Sequence, residues 1–326
     1  MGTAFVTGGS GYVGRNLIRA LVARRQPVRA LARSESAAAA VKALGAEPVM
    51  GDLMDRRSYA DGLRGCDVIY HSAAAVELWG PLEHFWQVNV EGTQMLLDAA
   101  RGSGVPRFVH VSTEAVYADG GPMRDLRDDD PLPVKPLPRY PQTKGVAEER
   151  VRRANSRQLT TVVVRPRFIW GGDDTTLLPK LCEAARNGQL KWVDGGDYLT
   201  STTHVDNVVE GLLLGAEKGE GGQTYFVTDG PPTQFKRFIT DLLATQGVTI
   251  PDKHLSRGLA EPMARLCEWA WDHLPLKGEP PLTRMAYCLL LQEVTVSDEK
   301  ARSELGYEGK TTIAQGLAEL RKKAGR

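Results

Sequence analysis

Cysteine is scarce and scattered in this chain. Cys66, Cys182, Cys267 and Cys288 are the only four in 326 residues, and none form a C-x-x-C pair. That excludes a disulfide-framed scaffold and a cysteine-built zinc site, and it reads as free thiols in a reducing compartment. Histidine is sparse too. His71, His84, His110, His204, His254 and His273 make no H-x-x-x-H or mixed ligand cluster, so no metal is expected. Neither sign of charge is in excess: 41 Lys and Arg face 40 Asp and Glu, a net +1. Such a chain has no basic footprint for nucleic acid and no polybasic stretch for anionic lipid. No run approaches the roughly 18 apolar residues of a membrane helix; the most apolar stretch covers only 286–291. The start lacks the basic segment of a signal peptide, and Val6 stands where N-myristoylation asks for Ser or Thr. The expectation is a globular protein of the cytoplasm. At roughly 100–200 residues per domain, its length suggests two lobes.

What the chain does have is an alternating rhythm. Short β-branched runs at 3–7, 28–32, 47–50, 68–71, 107–112 and 161–165 read as strands. Helical patterns at 14–24, 90–103 and 140–154 lie between them, the signature of βαβ units and a parallel sheet. Val162, Val163 and Val164 make an unbroken apolar run, as a strand covered on both faces should. Further on, helices are expected at 177–187 and 206–215, a strand pair at 191–193 and 201–204, and a strand at 224–228. Asp206 is expected to cap the helix that follows it. The last hundred or so residues read as mostly helical.

Val6-Thr7-Gly8-Gly9-Ser10-Gly11-Tyr12-Val13-Gly14 closes the first strand and opens the first helix. Gly8 permits the tight turn, Gly11 lets a pyrophosphate approach the backbone, and Gly14 lets the helix pack close. The phosphate would sit on the free amides of a helix N-terminus. This predicts a Rossmann-type doubly wound parallel sheet binding a dinucleotide, with a smaller, mainly helical C-terminal lobe. The expected division is 1–165 for the cofactor, with 201–228 returning to it, and 166–200 plus 229–326 for the substrate. Ala32 occupies the strand-end position where NAD enzymes place an acid, and Arg33 follows with a fork suited to a 2′-phosphate. NADP(H) is therefore favoured, with NAD(H) as the alternative. Asp52 and Leu53 end the third strand, where Asp52 is placed to contact adenine. Ala73 and Ala74 follow the fourth, their small side chains leaving room for the cofactor.

Tyr140-Pro141-Gln142-Thr143-Lys144 puts a phenol and an ammonium on one helical face. A neighbouring ammonium favours phenolate and would bring Tyr140 below its ordinary pKa near 10. Ser112 and Thr113 stand at a strand's carboxyl end, where open α/β sheets bind ligands. Thr113 is taken as the hydroxyl that meets a substrate carbonyl, and Ser112 as its support. Residues 119–139 hold five prolines and read as a lid. Trp79 and Trp170 are candidates for an apolar substrate pocket.

These residues together resemble the extended short-chain dehydrogenase/reductase family. The likeness runs through Thr7–Gly14, Gly51-Asp52-Leu53, Val88-Asn89-Val90-Glu91-Gly92-Thr93, Val111–Tyr117, Tyr140–Lys144, Arg165-Pro166 and His204-Val205-Asp206-Asn207. It implies Tyr140 as acid/base, Lys144 as the group that binds the nicotinamide ribose and lowers the Tyr140 pKa, and Thr113 as the residue orienting the carbonyl. It implies a structural Asn89, puts Pro166 at the cofactor, and makes a homodimer the default. Residues 74–81 and 140–144 look most like the 3β-hydroxysteroid dehydrogenase branch, with its sterol, long-chain β-keto acid and flavonoid-type substrates. The implied activity is hydride transfer between a nicotinamide and a secondary alcohol or ketone on an apolar molecule. A nucleotide-sugar epimerase or dehydratase, its diphosphate held by Arg186, Lys191, Arg237 or Arg257, is one alternative. An NADP-binding sensor without turnover is the other.

Overall fold

The strands that concern the site are β1 (Thr3–Thr7), β2 (Val28–Ala32), β3 (Glu47–Met50), β4 (Cys66–His71), β5 (Arg107–Val111), β6 (Met123–Leu126), β7 (Thr160–Pro166), β8 (Leu199–Thr200), β9 (Thr224–Val227), β10 (Thr233–Gln234) and β11 (Val294–Val296), of which β6, β8, β10 and β11 were not expected from the sequence. The helices that concern the site are α1 (Tyr12–Ala23), α2 (Glu35–Ala43), α3 (Gly92–Gly102), α4 (Tyr140–Arg153), α5 (Val205–Lys218), α6 (Arg257–His273) and α7 (Arg284–Leu290). This computed structural model describes residues 2–325; Met1 and Arg326, the outer ends of the expected lobes, lie outside them.

Seven strands form one parallel sheet in the order β9-β7-β5-β4-β1-β2-β3. The chain winds outward from β1 to β3, then returns to the other side of β1 at β4. That reversal opens a crevice at the carboxyl ends of β1 and β4, where such sheets take ligands. The apolar run in β7 has its predicted cause. Val162 and Val164 pack with Leu212 of α5 on one face, and Val163 packs with Leu96 and Val151 on the other. Leu17, Ile18 and Leu21 of α1 are fully buried against the first of these layers.

Two expectations fail here for physical reasons. Residues 191–193 and 201–204 do not pair with each other. Trp192–Val193 pairs with His254–Leu255, and Thr203–His204 pairs with Ile169–Trp170. The stretch 119–139 is not a free lid either. Its β6 joins a second sheet in the order β10-β8-β11-β6, and the Met123 amide donates to the Glu293 carbonyl at 3.0 Å. Just beyond, the buried Asp128 carboxylate accepts from the Phe226 amide, and the Asp128 carbonyl accepts from Arg165 at 3.1 Å. Burial pushes the Asp128 carboxyl up to about 7, against the pull of these two partners. Among the described residues no helix is long and apolar enough to cross a membrane.

Candidate active site

The glycine turn is shaped by what a side chain would strike. Gly8 takes φ +69°, and a Cβ there would lie 2.7 Å from the Ala73 amide nitrogen. A Cβ on Gly14 would lie 2.1 Å from the Gly8 carbonyl oxygen, so α1 rests directly on the turn. The Gly11 amide closes it, donating to Gly8 at 2.9 Å. As N-cap of α1, Gly11 offers no side chain to the amides of the first turn, Tyr12, Val13 and Gly14. Those donors, with the helix dipole behind them, suit a phosphate. The cradle fits the pyrophosphate of a dinucleotide.

At the end of β2, Ala32 is buried and Arg33 exposed, with no hydrogen bond or ion pair to Arg33 among the described residues. Ser34 caps α2, accepting from the Ala37 amide at 3.2 Å. Asp52 accepts from the Met54 amide at 2.9 Å, and Leu53 fills the space left by Gly92. The Ala73 amide donates to the Thr7 hydroxyl at 3.4 Å, while Pro166 is buried at the end of β7 beside Val227.

Thr113 and Tyr140 come together past the end of β5, with Lys144 one turn along the same helix. Thr113 caps a short turn, its Oγ1 accepting from the Ala115 amide at 3.1 Å and donating to the Glu114 carboxylate at 2.8 Å. Tyr140 opens α4 beside it, after Arg139 in a left-handed conformation at φ +68°. Lys144, one turn on, is buried, and its ammonium donates to the Val111 carbonyl at 2.7 Å and lies 3.1 Å from His110 Nε2. Burial draws Lys144 down to about 8, with Glu148 pulling the other way. Tyr140 departs from expectation. Burial and the charge of Glu114 move it above its ordinary value, with the Thr113 hydroxyl opposing them. Lys144, expected to lower it, is not among the groups acting on it.

Ser112 supports the site at one remove. Its hydroxyl donates to Glu148 at 2.7 Å, one turn past Lys144, and so joins β5 to the helix carrying Tyr140 and Lys144. Glu148 is 0% and Arg165 1% exposed, and their ion pair carries a second link at 2.9 Å. Asn89 makes a second brace. It holds Ala75 by the amide at 2.8 Å and the carbonyl at 3.1 Å, and donates to Thr143 of α4 at 3.1 Å. The sequence reading missed Glu114, Glu148 and Arg167. Its only hint of them was charge on segments otherwise expected to be core.

The tryptophans separate. Trp79 is half-buried with the Arg139 guanidinium 3.7 Å above its ring, and Arg139 also donates to the Gly80 carbonyl at 2.8 Å and pairs with Asp272 of α6 at 2.6 Å. That knot sits where Tyr140 begins. Trp170 is a correction: it is 1% exposed within the C-terminal core, its indole N–H donating to Asp229 at 2.7 Å, so it lines no pocket. The helix cap is corrected too, since His204, not Asp206, fills it and accepts from the Asp206 amide at 3.3 Å. The basic residues considered for a sugar diphosphate do not converge. Arg257 pairs with Asp194 at 3.1 Å and Arg237 with Asp241 at 4.0 Å, while Arg186 and Lys191 stand exposed.

A model of the 3-beta hydroxysteroid dehydrogenase/isomerase family matches residues 5–257. The chain is 51% identical over 317 residues to the 4-hydroxy-2-methyl-3-oxo-4-farnesyl-3,4-dihydroquinoline-1-oxide ketoreductase of Stigmatella aurantiaca, covering 97% of this chain and 95% of that one. It is 36% identical over 325 residues to the 2-alkyl-3-oxoalkanoate reductase of Stenotrophomonas maltophilia, covering 97% of each. Among solved structures, that of gox2253 superposes with a TM-score of 0.78 at 28% identity, over 98% of both chains.

Proposed function

The chain belongs to the 3-beta hydroxysteroid dehydrogenase/isomerase family, and we propose that it reduces a ketone on an apolar small molecule with a nicotinamide cofactor. The observation that carries this reading is Thr113 beside Tyr140, with Lys144 buried one helical turn on, in a chain that also carries a glycine cradle open to phosphate. When bound there, the nicotinamide supplies the hydride. Tyr140, kept a phenol by burial and by Glu114, gives the proton to the ketone oxygen. Thr113 stands beside Tyr140 to orient the substrate carbonyl, and Lys144, one turn on and held at the end of β5 by the Val111 carbonyl, is the residue that would bind the nicotinamide ribose. Gly8 to Gly14, Asp52, Leu53, Ala73, Ala74 and Pro166 border the cofactor. Arg33 and the missing acid at Ala32 support NADP(H) over NAD(H).

The apolar nature of the substrate is supported by the names of the two relatives, a farnesyl-dihydroquinoline ketoreductase and a 2-alkyl-3-oxoalkanoate reductase. The surface fits: α6 ends at the Arg139–Asp272 contact and exposes Leu259, Met263, Leu266 and Trp269. In this reading Trp79 borders the substrate, residues 1–165 with 201–228 bind the cofactor, and the remainder binds the substrate. The four cysteines are free, which supports a reduced cytoplasmic setting, and the family likeness supports a homodimer as the assembly to test first. The test is NADPH consumption with a panel of alkyl 3-oxo esters, prenylated quinoline ketones and 3-oxosteroids. Turnover of at least one apolar ketone, with none of UDP-sugars, is the expected result. Activity confined to UDP-sugars would replace this reading with the epimerase one.

A further inference from the structure

Two buried histidines stand side by side near the carboxyl end of the parallel sheet. His71 closes β4 and His110 is next to last in β5; each is 1% exposed, and their ring centroids are 5.2 Å apart. His71 has both ring nitrogens engaged. Thr93 uses its hydroxyl proton on the Asn89 carbonyl at 2.5 Å, so its oxygen accepts from His71 Nε2 at 2.9 Å. His71 Nδ1 then accepts from the hydroxyl of Thr7, just before the glycine turn, at 2.7 Å. His110 is different. Its Nε2 lies 3.1 Å from Lys144 Nζ, and its buried Nδ1 has no partner among the described residues.

An ammonium only donates hydrogen bonds, so the contact with Lys144 requires a bare Nε2 and puts the one ring proton on the unpartnered Nδ1. The opposite tautomer would set an N–H against the ammonium. A charged ring would do the same, but burial, the Lys144 charge and His71 hold His110 well below its ordinary value, and the ring is neutral. Lys144 has three N–H groups. The Val111 carbonyl takes one at 2.7 Å and His110 a second, which leaves a donor for a ligand. Glu148, the acid one turn on, is paired with Arg165.

We propose that His110 is a positioning residue for Lys144: with its proton on Nδ1, the ring accepts from the Lys144 ammonium through Nε2 and, together with the Val111 carbonyl, fixes that cationic head at the end of β5 for the nicotinamide ribose. The inference rests on the nicotinamide-dependent function proposed above and adds a residue to it. His71, its ring held by Thr7 and Thr93, packs beside His110 and joins the support of the lysine to the strand that leads into the glycine cradle.

The test reads the tautomer first. In nitrogen NMR of the imidazole rings of the wild type near neutral pH, His110, identified as the ring signal lost in His110→Gln, should carry its proton on Nδ1. Two variants then separate the acceptor from the packing. The amide of His110→Gln reaches the level of Nε2, whereas that of His110→Asn stops at the level of Nδ1. NADPH affinity, read by fluorescence titration, should fall about tenfold in His110→Asn, as loss of a hydrogen bond to a charged group implies, and stay within about threefold of the wild type in His110→Gln. KM for NADPH should follow, with kcat at saturating NADPH changed less. Thermal unfolding checks that each variant folds; if His110→Asn does not, His110→Phe, which keeps a ring and has no acceptor, takes its place. A proton on Nε2 in the wild type, or equal NADPH affinity in the Gln and Asn (or Phe) variants, would overturn the proposal and leave His110 a packing residue. A wild type that reduces no ketone while the tautomer and the Gln rescue both hold would overturn the ketone-reducing reading and leave the His110 assignment standing.

Discussion

Removing Glu148 should be among the most damaging single changes outside the reacting groups themselves. The carboxylate accepts from Ser112 at 2.7 Å and from Arg165 Nε at 2.9 Å, and its other oxygen meets a second guanidinium nitrogen, all in the dry interior. Glu148→Ala strands the Arg165 charge, whose remaining partners are the neutral Tyr117 hydroxyl at 2.9 Å and the Asp128 carbonyl. Breaking one half of a buried pair costs about 3–5 kcal/mol, and the orphaned Ser112 hydroxyl adds about 1 kcal/mol. The loss should therefore be about 5 kcal/mol, within reach of the whole stability of an ordinary domain. Replacing both partners by apolar residues of similar volume, Glu148→Leu with Arg165→Met, should recover at least half of that loss, because no charge is then left unpaired. Urea unfolding of the wild type, both single variants and the double variant measures this coupling. A single-variant loss under about 1 kcal/mol, or a double variant as unstable as the sum of the singles, would refute the argument.

Two further outcomes follow from the same geometry. Arg33→Ala should weaken NADPH about tenfold or more, near 1.4 kcal/mol, and leave NADH unchanged, as read by fluorescence titration. Lys144 is held down to about 8 against 10.5 in an unfolded chain, so the folded state disfavours its charge. That penalty is fully present below about pH 8 and is relieved as pH rises toward 10.5. The wild type should thus gain up to about 3 kcal/mol in urea stability relative to Lys144→Met between pH 7 and pH 10; a flat difference would count against it.

The parts legible in the sequence were those whose cause is local. The run Val162-Val163-Val164 announces a strand covered on both faces, and the glycine spacing from Gly8 to Gly14 reflects a turn that no Cβ could enter. Tyr140 and Lys144 sit one helical turn apart, so their shared face could be read directly. What escaped depends on contacts distant in sequence. The partner of Glu114 is Arg167, and that of Ser112 is Glu148, pairings that only the order of strands in the sheet brings about. Trp170 looked like a pocket residue because composition cannot tell a ligand-facing ring from one packed against His204 and Phe238. The stretch 119–139 looked free because its partner strand, β11, lies far along the chain. The direction of the Tyr140 shift was misjudged because burial, which the sequence pattern does not show, raises it most, and the charge that adds to burial is Glu114 rather than Lys144.

The account stands on Tyr140 as the proton donor to a ketone, and one paired measurement meets that directly. Wild type and Tyr140→Phe are compared for NADPH binding by fluorescence and for reduction of whichever apolar ketone the wild type accepts. Loss of the phenolic proton should lower kcat by about 10²–10⁴-fold while NADPH affinity stays within a factor of two or so, since positioned acid catalysis is worth that much. A Tyr140→Phe protein that binds NADPH and reduces the ketone at near the wild-type rate would contradict it.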